Sequence, residues 1–242
     1  NMFLYPWSTW LSGPWDLFIE HGHRLLASFV GLLTIAWVLI VWWTDERRWF
    51  RWYSVACLSL VIVQGLLGGL RVRLDANVLA RIHGCVGPLF FVAAVTASAF
   101  SSSWWHESGV THAVSPPRNL VSLAWITGAL SYMQLILGAH LRHMSIHWAP
   151  STFRMIVFGH LLVAGAMLLH VLVLWARSRS YTRVHGGERF VSRLSARLAL
   201  LVLLQILIGA GVWRVKYAWP AWLPQPESLE GYTVAAEGML QT

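Results

Sequence analysis

The run Leu25–Trp43 holds nineteen residues without a single charge. About 20 apolar residues are needed to cross the hydrocarbon core of a bilayer. Five further stretches of this kind follow, so that six run over 21–43, 52–72, 81–101, 119–141, 154–176 and 194–214. Lipid offers the backbone no hydrogen bonds, so such spans must be helical. Composition agrees, since 57% of the 242 residues are hydrophobic and 12% charged, about half the charged share of soluble domains. An ordinary soluble enzyme, a collagen-like chain and a disordered chain are thereby excluded. The fold class expected is an all-α, polytopic membrane helix bundle.

Eighteen Lys and Arg face ten Asp and Glu, for a net charge of +8, and all the basic residues but Lys216 are arginine. In a chain of this hydropathy the excess reads as cytoplasmic loops following the positive-inside rule, not as a nucleic-acid surface. The connection 177–197 carries Arg177, Arg179, Arg183, Arg189, Arg193 and Arg197, and the loop 44–51 carries Arg47, Arg48 and Arg51. Six crossings put both on one side, the cytoplasmic one. Residues 1–20, 73–80, 142–153 and 215–242 then face outward. Trp7, Trp10, Trp15, Trp213, Trp219 and Trp222 gather at that boundary as an aromatic belt. Cys57 and Cys85 sit in apolar runs, which indicates neither a disulfide framework nor a zinc motif. Pro88 and the glycines within the spans are tolerable breakers.

An internal repeat is visible. Gln64-Gly65-Leu66-Leu67-Gly68 resembles Gln205-Ile206-Leu207-Ile208-Gly209, and Gln134-Leu135-Ile136-Leu137-Gly138 is related. His23 and His160 occupy similar places in their spans. A period of about 140 residues makes each repeat a unit of four helices. Extending the pattern at both ends predicts eight helices for a full-length version, with the first and last outside this chain. The expected organisation is an amino-terminal half over 1–101, a cytoplasmic linker over 102–118 and a carboxy-terminal half over 119–242. The Gly65–Gly69 stretch reads as close helix packing, because no phosphate-loop Lys-Ser/Thr follows.

Ionisable residues inside membrane spans are costly and point to function. His23, His83 and His160 each fall near the outer end of a span. Glu20, His23 and Arg24 would share a helix face at spacings of three and four. Imidazoles recurring at one depth in related halves favour bis-histidine ligation of a porphyrin between helices. His23 with His83 makes one site, with Gly84 and Gly87 leaving room for a flat macrocycle. His160 would need a partner from outside the chain. Arg71, Arg73, Arg81, Arg142 and Arg154 are candidates to pair with anionic propionates. Each also suits a lipid headgroup. His140, His143 and His147 lack the cysteine or carboxylate that would complete a copper or zinc set. His170 reads as an interhelical hydrogen-bonding residue, and His106, His112 and His185 as solvated loop residues.

Glu20-His21-Gly22-His23-Arg24-Leu25-Leu26-Ala27 resembles the Glu-x-x-His-Arg signature of heme A synthases. Gln64-Gly65-Leu66-Leu67-Gly68-Gly69 resembles their third-helix motif, Arg81-Ile82-His83 the start of their fourth helix and Phe158-Gly159-His160 their sixth. Asn1-Met2-Phe3-Leu4-Tyr5-Pro6 is similar to the outer loop after their first helix. Leu161 departs from the family, which often has arginine there, and the outer-loop cysteine pairs of some members are missing. The resemblance implies an enzyme oxidising the C8 methyl of heme O to the formyl group of heme A, in a bacterial inner membrane, for cytochrome oxidase assembly. It implies that His23 and His83 ligate the substrate heme O, that Glu20 is the catalytic carboxylate, and that His160 is one ligand of a heme b. Arg24 and Arg81 join the cofactor-binding set. A heme O synthase, an electron-transfer partner and the lipid bilayer are the partners implied, with a homo-oligomer left open and nucleic acid not expected. Two other readings stand beside this one: a non-catalytic bis-heme cytochrome, and a heme transporter or chaperone.

Overall fold

In the computed structural model the structure describes residues 13–74, 76–103, 105, 117–143, 149–185 and 190–217. Six long helices account for nearly all of them: α1 (Trp15–Thr44), α2 (Arg48–Arg73), α3 (Asn77–Phe100), α4 (Arg118–Arg142), α5 (Pro150–His185) and α6 (Phe190–Tyr217). No strand occurs among the described residues. All six helices are long and apolar enough to cross a membrane. Their outer faces carry large apolar side chains in the open, such as Leu26 at 62% and Phe91 at 69% exposure. A soluble surface does not tolerate apolar patches on that scale. The chain is a multi-pass membrane protein.

The helices outrun the apolar stretches that announce them. Arg48 and Arg51, expected in a loop, lie in the first turn of α2, which leaves Arg47 in the connection. The basic connection expected over 177–197 is mostly helix, because α5 continues to His185 and α6 resumes at Phe190. Arginine is a good helix former, and it extends a helix into water as readily as leucine extends it through lipid. Pro88 lies inside α3 without ending it. Trp15 and Trp213 sit near helix ends, whereas Trp7, Trp10, Trp219 and Trp222 lie outside the described residues.

The described residues form two compact units, α1–α3 and α4–α6. In the first, α1 and α3 each pack along α2; in the second, α4 and α6 each pack along α5. The first unit is fastened at the end where α1 passes into α2. Phe50, 1% exposed, fills the space between Val41 of α1 and Ala97 of α3. Phe100 stands edge-on to Phe50, Tyr53 and Trp49. The Arg47 guanidinium lies 4.6 Å over the Phe50 ring. It donates to the Asp45 carboxylate at 2.6 Å and to the Phe100 carbonyl at 3.0 Å. Tyr53 closes the cluster with a 2.9 Å bond to the Ala93 carbonyl.

The second unit is held between α5 and α6 by Met167, Val171, Ala199 and Val202, with Val171 wholly buried. Between the same helices Ser178 donates to Ser195 at 3.3 Å, both side chains being buried. Polar contacts of this kind contribute modestly between membrane helices. The aromatic end of the first unit therefore yields the stronger expectation. Phe50→Ala should cost about 3–5 kcal/mol through the cavity it leaves, read as a lowered thermal unfolding temperature in detergent.

Candidate functional site

The opposite end of the first unit carries the polar residues. One turn of α1 places Glu20, His23 and Arg24 on a common face. The Arg24 guanidinium is hydrogen-bonded to the Glu20 carboxylate. The Glu20 side chain is half exposed and that of Arg24 more sheltered. His83 reaches the same place from α3. The His23 and His83 rings stand 6.3 Å apart, centroid to centroid, at an interplanar angle of 87°. His21, two residues away and on another face of α1, is buried.

His83 is seated by α2. Its Nδ1 lies 3.2 Å from the backbone carbonyl of Gln64. A carbonyl only accepts, so the proton belongs on Nδ1 and the lone pair is left on Nε2. The Gln64 side chain returns the contact, its amide donating to the His83 carbonyl at 2.8 Å. Gly68 forms the floor, because a Cβ there would stand 3.0 Å from Cε1 of the ring. Gly87 does not provide open space for a macrocycle: a Cβ there would meet the Gln64 amide at 2.8 Å. Gly84 has nothing against it. Glycine at 68 and 87 thus admits a glutamine and an imidazole between two close helices.

This arrangement can grip a metal. Ligating histidines commonly donate their second nitrogen to a backbone carbonyl, which fixes the tautomer and aims the ring. Two metal–imidazole bonds of about 2 Å each, added to the distance from nitrogen to ring centre, put opposed ring centroids about 6 Å apart. The observed centroid separation of 6.3 Å matches that figure. An anionic edge would also find a partner. Arg71 lies in the last turn of α2, two turns beyond Gln64. Its Nε is buried without a hydrogen-bond partner among the described residues. Arg81 lies two residues before His83 in α3, partly buried. The residues present therefore fit a bis-histidine heme with propionates.

The second unit repeats the seat with a different outcome. Gln134 of α4 meets His160 of α5, and a Cβ on Gly138 would lie 3.5 Å from the imidazole. Here the Gln134 amide contacts Nε2 itself, at 3.1 Å, and Nδ1 is buried without a partner among the described residues. A ligand approaching Nε2 must displace that amide. The Gln-x-x-x-Gly element recurs at half of the 140-residue period. Gln64, Gln134 and Gln205 recur after 70 and then 71 residues. In the first two cases the Gln-x-x-x-Gly helix receives a histidine of the next helix.

Other expected residues fall elsewhere. His170 bonds the Ala166 carbonyl of its own helix at 2.9 Å, in place of the interhelical bond expected. His140 likewise turns back onto Ile136 at 2.8 Å. No cluster of three metal-ligating side chains occurs among the described residues; His147, His106 and His112 lie outside them. His185 is the last residue of α5, not part of a loop. Arg142 closes α4 and Arg154 lies in the first turns of α5, both exposed.

Unequal crowding at the two glycine floors makes a matched test. Gly68→Ala must push the His83 ring by a few tenths of an ångström, whereas Gly138→Ala meets ordinary contact distance. Hemin titration followed by the Soret band should show affinity at the His23–His83 pair falling several-fold in Gly68→Ala. Gly138→Ala should leave that affinity unchanged.

Over 228 aligned residues the chain is 25% identical to the protein named Heme A synthase of Shouchella clausii (strain KSM-K16), covering 84% of this chain and 71% of that one. No family model matches the chain. No solved structure matches it. The polar end of α1–α3 is thus found in a chain with distant similarity to a protein named Heme A synthase.

Proposed function

We propose that this protein is a heme A synthase-like membrane oxidoreductase of the bacterial inner membrane. It converts the C8 methyl of heme O to the formyl group of heme A for cytochrome oxidase. The observation that carries the reading is the His23–His83 pair, two imidazoles from separate spans with ring centroids 6.3 Å apart. The relative named Heme A synthase supports the same direction.

His23 and His83 hold the substrate's iron, and Gln64 and Gly68 keep the His83 ring aimed. Arg71 and Arg81 take the propionates, since guanidinium and carboxylate pair through two parallel hydrogen bonds. Bound heme O supplies a conjugated ring able to give up the electrons withdrawn from its methyl carbon. Glu20 receives a proton from that carbon, water supplies the formyl oxygen, and the four electrons released in taking CH3 to CHO pass to the electron acceptor. The Arg24 guanidinium holds the Glu20 carboxylate in place. Glu20 lies one helical turn from His23. His160 serves as one ligand of a heme b that relays electrons. A heme O synthase upstream and an electron acceptor complete the partners.

The test is the identity of the heme produced. In a host supplied with heme O, the protein should yield formyl heme by mass spectrometry of extracted pigments. Glu20→Ala should lower that yield at least 100-fold, within the range for loss of a general base, while heme O remains bound. A normal heme A yield from Glu20→Ala rejects the role of Glu20. Unaltered heme b with reversible redox chemistry in the parent protein would identify an electron-transfer cytochrome instead.

A further inference from the structure

The end of the second unit away from His160 is strongly cationic. Arg177, Arg179 and Arg183 on α5 and Arg193 and Arg197 on α6 are all exposed. Arg179 and Arg183 stand four residues apart, and so do Arg193 and Arg197. Residues at that spacing are neighbours on a helix surface, where like charges destabilise the helix. The chain supplies little to offset them. No Asp or Glu occurs among the described residues of α4–α6. Over the whole stretch 177–197, six arginines face the single carboxylate of Glu188, which lies outside the described residues.

Packing fixes the direction of these pairs. α5 and α6 meet here through Ser178 and Ser195, both buried and 3.3 Å apart. At about 100° per residue, a Ser195 that faces α5 turns Arg193 and Arg197 about 160° away from that helix. Each pair also sits at the head of an apolar stripe. Arg179 and Arg183 follow Leu172 by seven and eleven residues, and Leu200 and Leu204 follow Arg193 by the same offsets. Offsets of about 7 and 11 return to nearly the same side of a helix with about 3.6 residues per turn. Leu172, Leu200 and Leu204 are exposed. Each stripe thus passes from leucine to paired guanidinium groups within about 16 Å, at about 1.5 Å per residue.

We propose that the arginine pairs at this end of α5 and α6 bind the phosphodiester headgroups of anionic phospholipids. Guanidinium and phosphate oxygens pair through parallel hydrogen bonds. The leucines that continue each stripe receive the acyl chains of the same molecules. An acidic protein would satisfy the arginines and leave the leucines uncovered, whereas an amphiphile satisfies both. The bound lipid removes the repulsion within each pair, so anionic lipid stabilises the second unit.

The full chain should be unfolded thermally in nanodiscs of phosphatidylcholine alone and of an equal mixture with phosphatidylglycerol. The parent should unfold about 5 °C higher in the mixture, as for a ligand well above its dissociation constant. The variant combining Arg179→Gln, Arg183→Gln, Arg193→Gln and Arg197→Gln should lose that gain. In phosphatidylcholine alone it should unfold no lower than the parent, because glutamine relieves the repulsion and is as good a helix former as arginine. Native mass spectrometry should find phosphatidylglycerol retained on the parent and not on the variant. A variant that keeps the full gain would overturn the proposal. So would a variant already destabilised in phosphatidylcholine, since the arginines would then serve the fold itself. Inorganic phosphate added to phosphatidylcholine discs should give no gain, and a gain equal to that of the lipid would assign the pairs to a soluble anion instead. A gain from polyglutamate with none from phosphatidylglycerol would assign them to an acidic protein and equally overturn the proposal.

Discussion

Hydrocarbon surroundings penalise every polar atom that lacks a partner inside the protein. That penalty makes the backbone helical, and it also governs the side chains. Thr34, Ser59, Thr96 and Thr127 all turn their hydroxyls back to the carbonyl four residues earlier. Gln64 and His83 answer the same demand across two helices, and in doing so they acquire a fixed orientation. A side chain too costly to leave loose becomes one whose direction is determined. The site is built from that necessity.

The two Gln-x-x-x-Gly seats show how the same parts yield different readiness. In the first unit the backbone carbonyl takes the Nδ1 proton and leaves Nε2 as the acceptor nitrogen. In the second the glutamine amide covers Nε2. The contrast follows from the tightness of the glycine floor, 3.0 Å at Gly68 against 3.5 Å at Gly138. A closer floor presses the ring against the neighbouring backbone. A looser one lets the amide reach the ring instead.

Much of this was legible in the residues alone. The six spans appear as uncharged runs, and the pairing of His23 with His83 follows from depth and recurrence. Helix ends did not, because hydropathy marks contact with lipid and not helicity; hence Arg48, Arg51 and Arg177 read as loop residues. The role of Gln64 was hidden for another reason. A glutamine among leucines and glycines looks like a packing motif until it is known which helix lies beside it. Gly87 was misjudged in the same way, since a missing side chain signals room without showing what fills it.

The length of α5 carries a mechanical consequence. Its 36 residues extend about 54 Å at 1.5 Å per residue, against a hydrocarbon thickness of about 30 Å. Tilts of membrane helices reach about 40°, too little to hide the difference. The turns bearing Arg177, Arg179 and Arg183, all exposed, therefore rise through the phosphate layer like a mast. The Ser178–Ser195 contact stays dry at the mast's foot because α6 climbs beside it.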